Sequence, residues 1–431
     1  MVRQSSPGDD RRPGGRLGLL WVWVLPTLVP LVMSASCSPP GDAHEAPQPE
    51  VRPGIQVLLS DSLHLVTGRR AGLVTNHTGI DLHQVPSIDR LYAHDAVELV
   101  ALYSPEHGIR GTAEAGELVD HEVDEATGLP VHSLYGETRR PTPEMLEGVD
   151  VLLFDIQDIG TRYYTYIYTM ALAMEAAGEA RIPFVVLDRP NPVGGRLVQG
   201  NVLDPAFSSF VGMYPIPMRH GMTPGELARL YREHFGVEAQ LHVVPASGWR
   251  RDMLFPETGL PWRPPSPNMP DLESALHYPG TCLFEGTNLS VGRGTPRAFQ
   301  QIGAPWLDGP ELARRMAARE LPGVAFEAVT FTPRNPGDGK FDGEAVNGVR
   351  LKVTDPEVYD PAVTGVALLV ESYELSGPEW SWRASHFDRL AGTDELRVGV
   401  EAGLDLETLT AGWQHELTAF RSLREGVLLY P

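Results

Sequence analysis

The stretch Glu98-Leu99-Val100-Ala101-Leu102-Tyr103-Ser104-Pro105-Glu106-His107-Gly108 decides how the rest of the chain reads. A largely apolar run breaks off at a turn made of proline, two titratable side chains and glycine. The run does not alternate apolar and polar residues, as a strand exposed on one face would. It reads instead as a strand of a parallel sheet covered on both faces. Similar runs flank it: Ile55–Leu59, Arg70–Asn76, Val149–Phe154 closing at Asp155, and Ile182–Leu187 closing at Asp188. Helical patterns lie between and after them. Thr142–Leu146 opens with a threonine cap and a first-position proline, and Tyr166–Ala177 is rich in Ala, Met and Leu. Thr223-Pro224-Gly225-Glu226 supplies cap, proline and third-position glutamate for a helix to Phe235. Strand, polar loop and helix in repetition predict an open α/β domain with right-handed parallel crossovers. Such sheets bind ligands beyond the carboxyl ends of their strands, which places Asn76, Glu106, Asp155 and Asp188 in one neighbourhood.

Seven prolines between Pro256 and Pro279 favour extended loop, and the domain change is placed there, dividing 54–265 from 266–431. The second part carries a helix at Gly309–Ala318, a strand at Val324–Phe331, a Gly-rich loop at 335–348 and an apolar run at 363–375. Its tail, 404–420, reads as one amphipathic helix or two short ones. At the other end, residues 1–17 hold four arginines against two aspartates, followed by an apolar run from Leu19 to Met33 and then Ser34-Ala35-Ser36-Cys37. Basic, apolar and small-residue segments in that order read as an export signal over 1–36. A membrane anchor is the alternative, but fifteen residues broken by Pro26 and Pro30 span a bilayer poorly. Cys37 at the cut resembles a bacterial lipoprotein box, in which the thiol is acylated, although Ser34 stands where leucine is usual. A lipoprotein held by acylated Cys37 and a plainly secreted protein both remain open. Residues 37–53, rich in Pro, Glu and Ala, suit a tether. The expected location is the cell envelope or beyond.

Composition narrows the chemistry. With 35 basic and 56 acidic residues the net charge is −21, which argues against nucleic acid as a partner. Two cysteines, Cys37 and Cys282, provide neither a disulfide framework nor a thiolate zinc site. None of the 14 histidines falls in H-E-x-x-H or another compact ligand pattern, so no metal is expected. Gly292-Arg293-Gly294 comes late and lacks the third glycine of a dinucleotide fingerprint, and no G-x-S-x-G elbow occurs. No cofactor is expected.

Five clusters offer chemistry. Glu106 is the sharpest: proline restricts the backbone before it and Gly108 lets the chain turn after it. A glutamate at the mouth of an apolar site serves as a proton donor; the plain alternative is a surface glutamate in a turn. His107 beside it either binds substrate, orients a carboxylate or caps a carbonyl. The second cluster runs from Asp155 through Gln157, Asp158 and Arg162 to Tyr163 and Tyr164. Arg162 offers a planar donor pair for a carboxylate, Asp158 either binds or forms a structural ion pair, and the tyrosines line a sugar or pack the core. In Asp188-Arg189-Pro190-Asn191-Pro192 the aspartate either reaches a ligand or holds Arg189. His220 precedes a helix whose free N–H groups favour an anion. Glu285 and Asn288 belong to a loop that supplies either a second carboxylate or a rim. Carboxylates, amides, arginines and aromatics at loop ends suit a carbohydrate.

Six blocks carry a resemblance: Gly72–Gly79, Tyr103–Gly111, Ser133–Gly136, Phe154–Arg162, Leu187–Pro192 and Pro279–Asn288. In this order they resemble the DUF1343 family, associated with exo-β-N-acetylmuramidases of the NamZ type, and the likeness covers nearly all of 54–431. The resemblance implies a Rossmann-like N-terminal domain, a smaller C-terminal α+β domain and an active cleft between them. It implies a glycoside hydrolase that releases terminal N-acetylmuramic acid from the non-reducing end of peptidoglycan fragments such as MurNAc-GlcNAc. The family's catalytic glutamate maps onto Glu106, with the named residues of the other blocks as binding or supporting groups. On this footing Glu106 protonates the leaving oxygen, and Asp155, Asp158, Glu285 or the substrate's acetamido group assists. Arg162, Arg189 or a nest of loop N–H groups would meet the lactyl carboxylate. Another cell-wall glycan hydrolase, or a non-catalytic sugar-binding envelope protein, is the alternative.

Overall fold

The computed structural model describes residues 50–109 and 122–431. The export segment, Cys37, most of the tether and the end of the Tyr103–Gly111 block lie outside the described residues. No helix among the described residues is long and apolar enough to cross a membrane.

Strands β1 (Arg70–Thr75), β2 (Glu98–Ser104), β3 (Glu122–Val123), β4 (Pro130–Ser133), β5 (Val151–Asp155) and β6 (Phe184–Leu187) come first. They are followed by a pair set apart, β7 (Gln199–Val202) and β8 (Pro217–Arg219), and then by β9 (Leu241–Val244). The main sheet has the order β3-β4-β2-β1-β5-β6-β9, with every neighbour parallel except the antiparallel edge pair β3-β4. The absence of alternation has a direct cause. In β5, Val151 and Leu153 pack on one face with Ile55, Leu58, Ile88 and Leu91, while Leu152 and Phe154 pack on the other with Ile167, Met170 and Leu230. Both faces are therefore dry, and each such side chain contributes roughly 1.5–3 kcal/mol. Helices α1 (Gly54–Asp61) and α2 (Ser87–Tyr92) cover the first face; α3 (Tyr166–Ala180) and α4 (Pro224–His234) cover the second.

Three local expectations change. Ile55–Leu59 belongs to α1, whose buried Ile55 and Leu58 recur at helical spacing. Gly54 lets α1 start against β6, because a Cβ there would lie 2.4 Å from the Asp188 nitrogen. Thr142–Leu146 makes one turn only, with Leu146 N–H bonded to the Thr142 carbonyl at 3.2 Å, before Gly148 (φ 81°) stops it. The proline-rich extended segment gives way at α5 (Leu272–Thr281), whose Asp271 cap accepts from Ser274 N–H at 2.9 Å; Pro279 sits within the helix.

Beyond α5, strands β10 (Gln301–Ala304), β11 (Val324–Phe331) and β12 (Val346–Val353) form an antiparallel sheet in the order β10-β12-β11. Helix α6 (Gly309–Ala318) packs on it, and α7 (Pro361–Ser376) crosses α5. After α8 (Ala384–Ala391) and α9 (Glu395–Glu401) the tail forms two helices, α10 (Leu406–Thr410) and α11 (Trp413–Glu425). The chain end returns to the first sheet, where the Tyr430 hydroxyl donates to Asp188 at 2.5 Å. The architecture is α/β, a mostly parallel sheet followed by a smaller part with an antiparallel sheet.

Candidate active site

The chain runs outward from β1 to β2 and β4, then returns to the far side of β1 as β5. Loops at the carboxyl ends of the strands diverge at such a reversal and leave a crevice. Here the crevice is a cavity of about 610 Å³. Its floor is Glu106 and His107 after β2, Tyr135 after β4, and Tyr164 and Thr165 between β5 and α3. Its roof comes from Tyr278, Cys282, Glu285 and Arg293, and its flank from Arg383, His386 and Arg389. A larger cavity of about 730 Å³, between β7 and α11, shares no lining residue with it. The smaller one gathers the titratable groups at the strand ends and is the candidate site.

Glu106 is half-buried and accepts from the Thr165 hydroxyl at 2.9 Å. The Tyr135 phenol stands close enough to feel its charge; burial first, then the Glu106 charge, pushes that phenol up to about 12, so it stays protonated at neutral pH. The turn that presents Glu106 is unusual. His107 has φ 72° and Gly108 φ 75°, so two successive residues adopt the left-handed conformation. Glycine does so freely, but histidine does not, and strain of this kind gathers at functional sites.

Tyr163 and Tyr164 are both wall and core. They line the cleft yet sit 5.7 and 5.8 Å from the Tyr278 ring. The Tyr163 hydroxyl donates to the Pro279 carbonyl and the Tyr166 hydroxyl to the Pro265 carbonyl, tying the cleft's two sides together. In the roof, Glu285 pairs with Arg293 at 2.5 Å. Burial opposes its ionisation, but Arg293 and Lys340 outweigh that and hold the carboxyl below the usual range. Lys340 is itself lowered to about 8, by burial first, with Asp338 and Glu285 acting the other way. Burial and the Glu285 charge push the Cys282 thiol well up, so it is no nucleophile.

The expected neighbourhood of Asn76, Glu106, Asp155 and Asp188 divides. All four stand at strand carboxyl ends, yet only Glu106 lines the cleft. Asp155 is fully buried, paired with Arg189 at 2.5 and 3.0 Å and bonded by the Ser87 hydroxyl. Arg189 also donates to the Ile80 carbonyl at 2.8 Å, so it is spent inside the fold. Asp188 accepts from the Arg189 and Gly225 backbone and from Thr223 and Tyr430, a four-donor node under the sheet edge. Asn76 closes on Thr78, Gln157 donates to the Asp158 and Pro190 carbonyls, and Asn191 bridges Met222 and Val193.

Arg162 does not face the cleft as a carboxylate receptor. It is fully buried, and its terminal nitrogens donate to the carbonyls of Asn201, Ile216, Leu390 and Ala391 at 2.6–3.1 Å. Two of those carbonyls end α8, where no intrahelical partner exists. Asp158 accepts from Gly160 N–H at 2.7 Å and lies 3.4 Å from His220; both are buried and neither lines the cleft. Asn288 bonds the Glu379 carbonyl and the Ser381 N–H, stapling the loop that leads to Arg383. Among the described residues, no group of three His, Cys, Asp or Glu side chains could hold a metal ion.

Sequence reasoning missed Tyr135, Thr165, Arg139 and the α8 flank. Tyr135 stands in the Ser133–Gly136 block at a strand end, and Thr165 directly follows the second cluster, so both carried a positional signal. Arg383, His386 and Arg389 fall in no motif and meet the cleft only through tertiary packing.

Comparison with known proteins bears on this geometry. The domain described as exo-beta-N-acetylmuramidase NamZ, N-terminal, matches residues 71–273, and its C-terminal counterpart matches 276–430. The peptidoglycan beta-N-acetylmuramidase NamZ of Bacillus subtilis (strain 168) is 46% identical over 400 residues, 93% of this chain and 96% of that protein. Two crystal structures of DUF1343 family proteins from Bacteroides fragilis superpose with TM-scores of 0.82 and 0.72, at 37% and 31% identity. They cover 89% and 88% of this chain and 99% of each of theirs.

Proposed function

The chain belongs to the NamZ family of exo-β-N-acetylmuramidases, and from that premise we propose that Glu106 is the proton donor of its hydrolytic reaction. The enzyme is a glycoside hydrolase that releases terminal N-acetylmuramic acid from the non-reducing end of muramyl glycans such as MurNAc-GlcNAc. One observation carries the assignment of Glu106: it is the carboxyl side chain on the cleft floor, held there by the Thr165 hydroxyl with the Tyr135 phenol close by. In the reaction the bond from C1 of the muramic acid to the leaving oxygen breaks, and the Glu106 proton passes to that oxygen. Positive charge develops at C1 and water adds there, giving up one proton to a cleft carboxylate, Glu285 or the now ionised Glu106. Thr165 holds one carboxyl oxygen and leaves the other to carry the proton toward the substrate.

Asp155 and Asp158 are closed off in internal contacts, whereas Glu285 lines the cleft as an ionised carboxylate. Assistance then comes from Glu285 or from the substrate's acetamido oxygen. The anomer formed first separates the two: assistance by the acetamido group gives retention, and direct attack by activated water gives inversion. Glu106→Gln, which removes the proton donor and keeps the shape, is expected to lower kcat by about 10²–10⁴-fold while fragment binding and unfolding midpoint stay near wild type. A rate within a few-fold of wild type would contradict the role.

Location belongs to the same proposal. The export segment over 1–36 would deliver the enzyme to the envelope, where its glycan substrates arise, and acylation at Cys37 would hold it on a membrane. Cys37→Ser is expected to move the protein from the membrane fraction to the soluble fraction; equal partition of the two forms would remove the anchor.

A further inference from the structure

The substrate carries a charge that the catalytic step does not use. Muramic acid bears a lactyl ether on O3, and its carboxylate is ionised at neutral pH. The chain's net charge of −21 gives that anion no general welcome, so the cleft must hold a local cation. Four arginines line it: Arg139, Arg293, Arg383 and Arg389. Arg293 is committed to Glu285 at 2.5 Å. Arg139, Arg383 and Arg389 are all exposed at the cleft, but Arg383 and Arg389, beside and on α8, have no aromatic ring beneath them among the described residues.

Arg139 is built differently. Its guanidinium carbon lies 4.1 Å from the centre of the Phe210 ring and 4.9 Å from that of Tyr135. No carboxylate among the described residues pairs with it, whereas its neighbour Arg140 is closed on Glu179 of α3 at 2.5 Å. The Thr138 hydroxyl donates to the Arg140 carbonyl at 2.8 Å and accepts from its N–H at 3.2 Å, fixing the loop that carries both arginines. A guanidinium resting its face on aromatic rings keeps its N–H edge in plane and open, the geometry that grips a carboxylate with two parallel bonds. One ring under it belongs to Tyr135, which lines the cleft beside Glu106 and whose phenol feels the Glu106 charge. One tyrosine thus lies between the proton donor and the stacked cation. In the substrate, only C2 separates the anomeric carbon from the carbon bearing the lactyl ether.

We propose that Arg139, stacked on Tyr135 and Phe210, receives the lactyl carboxylate of the terminal muramic acid and so sets the enzyme's preference for muramic acid over N-acetylglucosamine. The inference rests on the muramidase function and on Glu106 marking the cleavage point.

The test compares an aryl β-N-acetylmuraminide with the same compound whose lactyl carboxylate is converted to the primary amide. Wild type should prefer the acid by at least tenfold in kcat/KM. Arg139→Ala should lose at least tenfold on the acid, chiefly in KM, and stay within about twofold on the amide; Arg139→Lys should recover part of the preference. Three results would overturn the assignment: an unchanged acid-to-amide ratio in Arg139→Ala, an equal fall on both substrates, or a ratio that collapses in Arg383→Ala or Arg389→Ala instead. Binding of the two compounds to Glu106→Gln, measured by calorimetry, separates this inference from the hydrolase reading. If wild type cleaves neither compound the hydrolase reading fails, while an acid preference in binding that vanishes in Glu106→Gln/Arg139→Ala still supports the arginine.

Discussion

Asp188 shows how a residue at a strand's carboxyl end can serve the fold and not the ligand. Four donors converge on its carboxyl, from Arg189, Thr223, Gly225 and Tyr430, and they knit β6, the start of α4 and the chain end together. Burial nevertheless raises it to about 6, against the pull of its Tyr430, Thr223 and Gly225 bonds. The native state therefore keeps this proton at pH values where the unfolded chain, with an aspartate near ~3.9, has lost it. The stability it contributes is full below about 4 and drains away as pH rises through about 6. Urea unfolding between pH 4 and 8 should show that decline in wild type and not in Asp188→Asn. The variant should also be weaker at pH 7 by about 1–3 kcal/mol, since an amide nitrogen replaces an acceptor oxygen among donors. Identical pH profiles for the two proteins would refute this account of the site. Arg162 and Arg189 teach the same point. Their residue type matched a carboxylate ligand, but type does not reveal direction: one closes on four carbonyls and the other on Asp155.

Among the elements, the crossing of α5 and α7 depends on two glycines. A Cβ on Gly280 would stand 2.0 Å from the Pro361 carbonyl oxygen, and one on Gly365 would stand 2.5 Å from the Gly280 Cα. Both obstacles are backbone, which cannot rotate aside. Gly365→Ala should therefore cost about 1–3 kcal/mol in chemical denaturation, despite alanine's better helix propensity; a variant as stable as wild type would show that the helices can part freely. This crossing also fixes the roof, because Cys282 and Glu285 follow α5 directly. Elements with strong local signals were legible in sequence. The Thr223/Glu226 capping box, the helix at Gly309–Ala318 and the strand at Val324–Phe331 occur where their residues place them. One short apolar run was not: Ile55–Leu59 has the composition of a buried strand, yet it forms a helix packed under β6.

At the scale of the molecule, an acidic protein takes a substrate that is itself anionic. Beyond a Debye length of about 8 Å the general repulsion is screened, so the arginines within the cleft decide recognition. The parallel sheet, its helical covers and Glu106 at a strand end were readable because each strand and helix shows its pattern within its own run of residues, even though the strands pair across long stretches of chain. The α8 flank and the Arg139 stack were not, because they join residues far apart in the chain: Arg139 meets Phe210, and α8 meets a loop after β5. The central claim is that Glu106 drives cleavage at the terminal muramic acid. Its most direct measurement incubates wild type and Glu106→Gln with MurNAc-GlcNAc and identifies the products by NMR from the first minutes. The account predicts free N-acetylmuramic acid and N-acetylglucosamine from wild type alone. Equal release by the glutamine variant, or an intact disaccharide in both, would contradict it.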